Sequence, residues 1–105
     1  MTGTDALTRF DGRHYSDAMS VRAIRIDAAD NVAVVVADVE AGGRVRLDDG
    51  SELTAAQPVP RGNKVALAAI AAGGPVVRYG EEIGVATVDI ARGGHVHTHN
   101  LGGKK

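Results

Sequence analysis

Three of the four histidines of this chain stand at alternate positions in one run, Gly93-Gly94-His95-Val96-His97-Thr98-His99-Asn100. In an extended segment alternate side chains share a face, with Cα atoms about 6.5–7 Å apart. A ladder of imidazoles can lean toward one ion or one substrate, and suits a transition metal held by neutral ring nitrogens or a bound anion. His95, His97 and His99 are the candidate metal ligands. Cysteine is absent, so carboxylates such as Asp89 or Asp30 would complete the sphere, though spacing singles out neither. A sphere left incomplete would be finished by substrate or by another polypeptide. The same pattern also suits a terminal strand with its polar side chains in water.

A second stretch, Arg61-Gly62-Asn63-Lys64, places two cations and an amide around a glycine, which suits a ligand bearing a carboxylate. An ordinary basic loop is the competing reading. Asp30-Asn31 and Asp49-Gly50 are explained by turn chemistry. No Ser-His-Asp order, phosphate loop or zinc-hydrolase helix motif occurs.

The elements that must position these residues read as strands. Val21 to Asp27 alternates, with Ile24 and Ile26 on one face. Val32 to Asp38 is apolar and β-branched, as a strand covered on both faces should be. Arg44 to Asp48 alternates with Val45 and Leu47 inward, and Asp49-Gly50 turns it into a short return at Glu52 to Thr54. Pro58-Val59-Pro60 forces an extended connection. Val65 to Leu67, Val76 to Tyr79, Ile83 to Val88 and the histidine run are further strands. Ala68 to Ala72 is expected to form one helical turn, stopped by Gly73-Gly74-Pro75. An echo runs through this half: Val65-Ala66…Ile70-Ala71-x-Gly73-Gly74-x-Val76 returns twenty residues later as Val85-Ala86…Ile90-Ala91-x-Gly93-Gly94-x-Val96. Two similar units about a pseudo-twofold axis are expected, too few for a solenoid.

At 105 residues the chain suits one domain. Residues 1–20 are expected to form a flexible tail, 21–101 the folded part and 102–105 a second tail. Phe10, Tyr15 and Tyr79 are the only aromatics. The core must therefore be Val, Ile, Leu and Ala, and a partner or a homo-oligomer would help so small a core. With 12 Lys+Arg against 13 Asp+Glu, neither nucleic acid nor an anionic membrane surface is an expected partner. No run has the length of a signal peptide or a membrane span, so a cytoplasmic setting is expected.

Four motifs fall in the order of a known family: Asp30-Asn31-Val32-Ala33-Val34, Pro60-Arg61-Gly62-Asn63-Lys64-Val65-Ala66-Leu67, Arg78-Tyr79-Gly80-Glu81-Glu82-Ile83-Gly84 and His95-Val96-His97-Thr98-His99-Asn100-Leu101. Over residues 21–101 the chain resembles the SAF domain of the altronate/galactarate dehydratase family. The resemblance implies an all-β fold of β-clip type with short helical turns. It implies the small subunit of a metal-dependent hydro-lyase that removes water from a sugar acid, beside a large dehydratase subunit in a separate chain. It further implies a divalent metal, Fe2+ or Mn2+. His97 and His99 are then expected to be catalytic, and Arg61, Asn63, Lys64 and Asn100 to bind substrate. A sulfolactate sulfo-lyase small subunit and a non-catalytic binding or assembly module are the alternatives. In the family pattern a histidine stands where this chain has Asn63, and an amide cannot shuttle a proton near neutral pH.

Overall fold

The computed structural model describes residues 20–103. It is all-β, and no helix occurs among the described residues. Nine short strands run in order: β1 (Val21–Ile24), β2 (Val32–Val35), β3 (Arg44–Leu47), β4 (Glu52–Thr54), β5 (Lys64–Ala66), β6 (Pro75–Arg78), β7 (Glu81–Ala86), β8 (His95–Val96) and β9 (Leu101–Gly102). Six form one sheet in the order β4-β3-β1-β2-β5-β8, and three form a second in the order β9-β7-β6. All pairings are antiparallel except β1 with β3. The architecture is a small β-clip. Most of residues 1–20, and Lys104 and Lys105 of the second expected tail, lie outside the described residues. Gly102 is paired with Val85 in β9.

The apolar pattern explains where each strand sits. Val32-Ala33-Val34-Val35 offers no polar face, and β2 is central in its sheet. Ala33 and Val35 join Ala23, Val45, Leu47, Leu53 and Val65 in one core. Val32 joins Ala66, Ile70, Val76, Ala86, Ile90 and Val96 in the other. Both cores contain only Ala, Val, Leu and Ile. Each Val or Leu buried here contributes roughly 1.5–3 kcal/mol. The β3–β4 hairpin turns at Gly50, whose φ is +90°, and Asp49 Oδ1 accepts from Ser51 N at 2.9 Å.

The twenty-residue echo is half of a larger pattern. Four times a buried aliphatic residue precedes a tight turn with glycine at positive φ: Val39 before Gly42, Val59 before Gly62, Ile70 before Gly73, and Ile90 before Gly93. The four φ values lie between +83° and +85°. Each turn is closed by one backbone bond: Gly43 N to Glu40 O, Asn63 N to Pro60 O, Gly74 N to Ala71 O and Gly94 N to Ala91 O, at 2.7–3.0 Å. A positive φ at the third residue of such a turn is the type II geometry, which selects glycine. The turns associate in pairs. Val39 and Val59 exchange both backbone bonds, and so do Ile70 and Ile90. The expected pseudo-twofold relation is thus present between the last two units and repeated between the first two.

Two expectations are corrected. Ala68 to Ala72 is not a helical turn. Ile70 N donates to Ile90 O at 2.8 Å, so it is not available for a helical bond, and Ala72 N donates to Asp89 Oδ1. The histidine run is not one long strand either. It leaves the sheet after Val96, turns through His97 to Asn100, and returns as β9 against β7. Gly84 is required there, because a Cβ would collide with the carbonyl oxygen of Gly102.

Candidate functional site

Turn chemistry decides what can stand at the histidine end. Asn63 closes the second type II turn at the position held by Gly43, Gly74 and Gly94 in the others. Alone among the four it carries a side chain, and it uses it: Asn63 Oδ1 lies 2.8 Å from His95 Nε2. An amide oxygen only accepts, so His95 donates through Nε2 and keeps Nδ1 as its basic nitrogen. The register Val65↔His95 puts Asn63, Val65 and His95 on one face of the sheet. His95 N also donates to Gln57 Oε1 at 3.0 Å.

The remaining two histidines reach His95 through the turn rather than through strand pleating. The ring centroids of His95 and His97 are 5.9 Å apart and nearly parallel, with 10° between planes. Those of His95 and His99 are 4.9 Å apart and tilted by 39°. Asn100 fixes the path. It is 6% exposed, its Nδ2 donates to His95 O at 2.8 Å and its Oδ1 accepts from His97 N at 3.0 Å. Its backbone N closes the turn on His97 O at 3.1 Å. Asn100, expected as a substrate contact, has both ends of its side chain engaged by the backbone of this turn.

Burial pushes the His95 pKa below its usual value, and the neighbouring His99, His97 and Lys64 push it further the same way. His95 is therefore a neutral imidazole near pH 7. His97 Nδ1 is buried with no hydrogen-bond partner. His99 opens into a groove of about 550 Å³, with Gln57, Asp89 and Asn100 along its walls and Val88 and Ile90 as apolar lining. Asp89 thus stands in the same groove as His99. Asp30, the other expected carboxylate, is distant in the fold, beneath the β6–β7 turn.

The three imidazoles are gathered, but not around one point. Metal–imidazole bonds lie in the ring plane, and the parallel planes of His95 and His97 do not direct their nitrogens to a common centre. His95 Nε2 is already engaged by Asn63. Among the described residues no three His, Asp or Glu side chains are arranged to hold a metal ion. The residues as placed do not form a metal centre by themselves. They do form a cluster in which the His97 and His99 rings both lie against the ring of His95.

The Arg61-Gly62-Asn63-Lys64 motif is divided by strand alternation. Asn63 faces the histidines. Lys64 pairs with Val34 and Val96 on the opposite face of β5. Arg61 is exposed, and its backbone N donates to Asp38 Oδ1 at 2.8 Å. Gln57 was not among the expected site residues. Only its position beside Pro58, in the connection that leads to the second turn, marks it in the sequence.

A small β-clip with a histidine-bearing turn beside an open groove is the class of domain defined here. Residues 21–104 match the family model described as the altronate/galactarate dehydratase SAF domain, and the chain belongs to that family. It is 51% identical over 77 residues to the altronate dehydratase of Escherichia coli, an alignment covering 73% of this chain and 15% of that protein. It is 44% identical over 70 residues to the galactarate dehydratase (L-threo-forming) of Escherichia coli, covering 67% and 13% respectively. Against the (2R)-sulfolactate sulfo-lyase subunit alpha of Paracoccus pantotrophus it is 51% identical over 53 residues, covering 50% of this chain and 79% of that subunit. The chain therefore spans a small fraction of the two dehydratases and most of the sulfo-lyase subunit. No helix among the described residues is long and apolar enough to cross a membrane.

Proposed function

We propose that this chain is the small subunit of a cytoplasmic hydro-lyase, acting with a separate large dehydratase subunit to convert a sugar acid to a 2-keto-3-deoxy acid. The observation that carries the reading is the gathering of His95, His97 and His99 beside an open groove in a chain of this dehydratase family. Loss of water from a 2,3-dihydroxy acid requires removal of the proton at C2 and protonation of the hydroxyl leaving C3. Both steps suit groups that titrate near neutral pH. One ring accepts the C2 proton, and another donates a proton to the departing hydroxyl. We assign these roles to His97 and His99. His95, tied to Asn63, orients them. A divalent ion, Fe2+ or Mn2+, would stabilise the enediolate when bound. Because the rings of this chain do not converge, the large subunit is the proposed holder of that ion.

The decisive experiment reconstitutes the chain with its large subunit and assays altronate, galactarate and related sugar acids. Activity in the mixture alone, lost by at least about a hundredfold in His97→Ala and His99→Ala, is expected for general acid–base groups. Unchanged turnover in both variants would remove the assignment. One observation favours a second reading, a sulfo-lyase small subunit: the chain matches most of a protein that is itself a subunit. Release of sulfite from sulfolactate by the reconstituted pair would select it. Binding without turnover on any of these acids would identify a non-catalytic module instead.

A further inference from the structure

On the face of β5 away from the histidines, Lys64 and Arg78 stand at a cavity whose acid, Asp30, is engaged by backbone N–H groups. Ile24, Val34, Lys64 and Val96 form one row across β1, β2, β5 and β8. Ile24 and Val34 line a cavity of about 230 Å³, together with Val32, Asp30, Arg78 and Tyr79. Lys64 therefore stands at the margin of that cavity, on the same face. Its pKa is pushed down by burial and by the nearby Arg78. Among the described residues neither Lys64 nor Arg78 takes part in a salt bridge. Arg78 Nε is buried and has no hydrogen-bond partner.

The Arg78 guanidinium is held in place. Its carbon sits 4.4 Å above the Tyr79 ring, and one terminal nitrogen donates to the Tyr79 hydroxyl at 2.7 Å. Tyr79 itself has a φ of +58°, a conformation that disfavours a side chain. Asp30 supports the turn: its Oδ1 accepts from Gly80 N at 2.8 Å, and its Oδ2 from Ile26 N and Asp27 N. These bonds direct the Asp30 charge to the backbone. Asp30 and Arg78 line the cavity and Lys64 stands beside Val34 at its margin; the three together carry one net positive charge.

We propose that this cavity is a binding site for a small carboxylate. Arg78 Nε and Lys64 Nζ are the donors to its oxygens, and the aliphatic walls receive the carbon attached to them. A monoanion balances the charge of Asp30, Lys64 and Arg78 taken together. The site lies on the opposite face of β5 from Asn63 and His95 and does not use the proton-transfer roles given to His97 and His99.

The test is titration of the ¹⁵N-labelled chain, at ionic strength held constant with sodium chloride, with acetate, gluconate and inorganic phosphate. A saturable shift of the Arg78 Nε–H and Gly80 amide signals is expected with acetate and gluconate. Arg78→Met and Lys64→Met should each weaken it by about tenfold or more. Thermal unfolding of each variant checks that the fold is kept. If a variant fails to fold, the wild-type chain decides alone, because binding must slow solvent exchange of the Arg78 Nε–H. Shifts that rise linearly and equally with chloride, or saturation by phosphate without carboxylate, overturn the proposal. The histidine assignment stands or falls on turnover, which this titration does not read.

Discussion

Asn63 Oδ1 accepts the Nε2 proton of His95 across 2.8 Å, joining the second glycine turn to the fourth. The bond selects one tautomer of an otherwise symmetric choice. A histidine at position 63 would itself titrate and bring a further positive charge to the cluster. The amide orders His95 without adding a charge.

The tautomer is the first prediction. In the wild-type chain, ¹⁵N imidazole spectra should show His95 protonated at Nε2 above its pKa. Asn63→Leu removes the acceptor, and the signals should move toward a mixture of tautomers. The substitution should lower stability by about 1 kcal/mol. Persistence of the Nε2–H form in Asn63→Leu would show that another group sets it.

Stability should fall on acidification in two windows. The folded-state pKa of His95 lies below 6.5, with burial the main cause. Between that pKa and 6.5 the unfolded chain binds more protons, so stability declines as pH drops through this range, by at most about 1.4 kcal/mol per pH unit. Asp30 acts lower. Burial would raise its pKa, but bonds from the backbone of Gly80, Asp27, Tyr79 and Ile26 outweigh it and hold the group below 3.8. Its contribution is present above that value and is lost as pH falls toward the folded-state pKa. Denaturant melts from pH 8 to pH 3 should therefore show both losses. In His95→Gln the upper one should shrink.

Asn100 is predicted to hold the imidazole stack together. Asn100→Ala leaves His95 O and His97 N without their side-chain partners. A loss of about 2–3 kcal/mol is expected for two buried bonds. Proton contacts between the His95 and His97 rings should weaken in the same variant. Intact ring contacts would show that the turn forms without the amide.

The glycine turns offer a controlled comparison. Gly73 and Gly93 share a φ of +83° to +85° in equivalent turns. A Cβ on Gly73 meets nothing within 4 Å, so Gly73→Ala bears only the conformational cost of about 1–2 kcal/mol. A Cβ on Gly93 collides with the carbonyl oxygen of Thr54. Gly93→Ala should be the more damaging by about 2 kcal/mol or more, read as a lower urea midpoint. Equal midpoints would contradict the placement of Thr54 against the fourth turn.

Much of this was legible in the residues. The alternation of Val45 and Leu47 placed β3, and the apolar run from Val32 predicted the central strand. Asp49-Gly50 marked its hairpin correctly. Asn63 and Lys64, expected to bind substrate together, are sent to opposite faces by strand alternation. Less visible were features set by partners distant in sequence. Ala68 to Ala72 has helix-forming composition, and only Ile90, twenty residues on, converts Ile70 into a bridge. The alternating histidines imitate a strand, but the Asn100 side chain satisfies the backbone at both ends of a turn instead. The second glycine turn is harder to relate to the other three because Asn63 stands where they carry a second glycine.

Immediately after each glycine turn comes one residue that begins a strand: Arg44, Lys64, Pro75 and His95. Four mounts of one backbone shape thus carry a guanidinium, an ammonium, a ring without an N–H, and an imidazole. The shape of a mount leaves open which side chain it displays. Chemistry can therefore be exchanged at one mount while the glycines and aliphatic residues keep the other three standing.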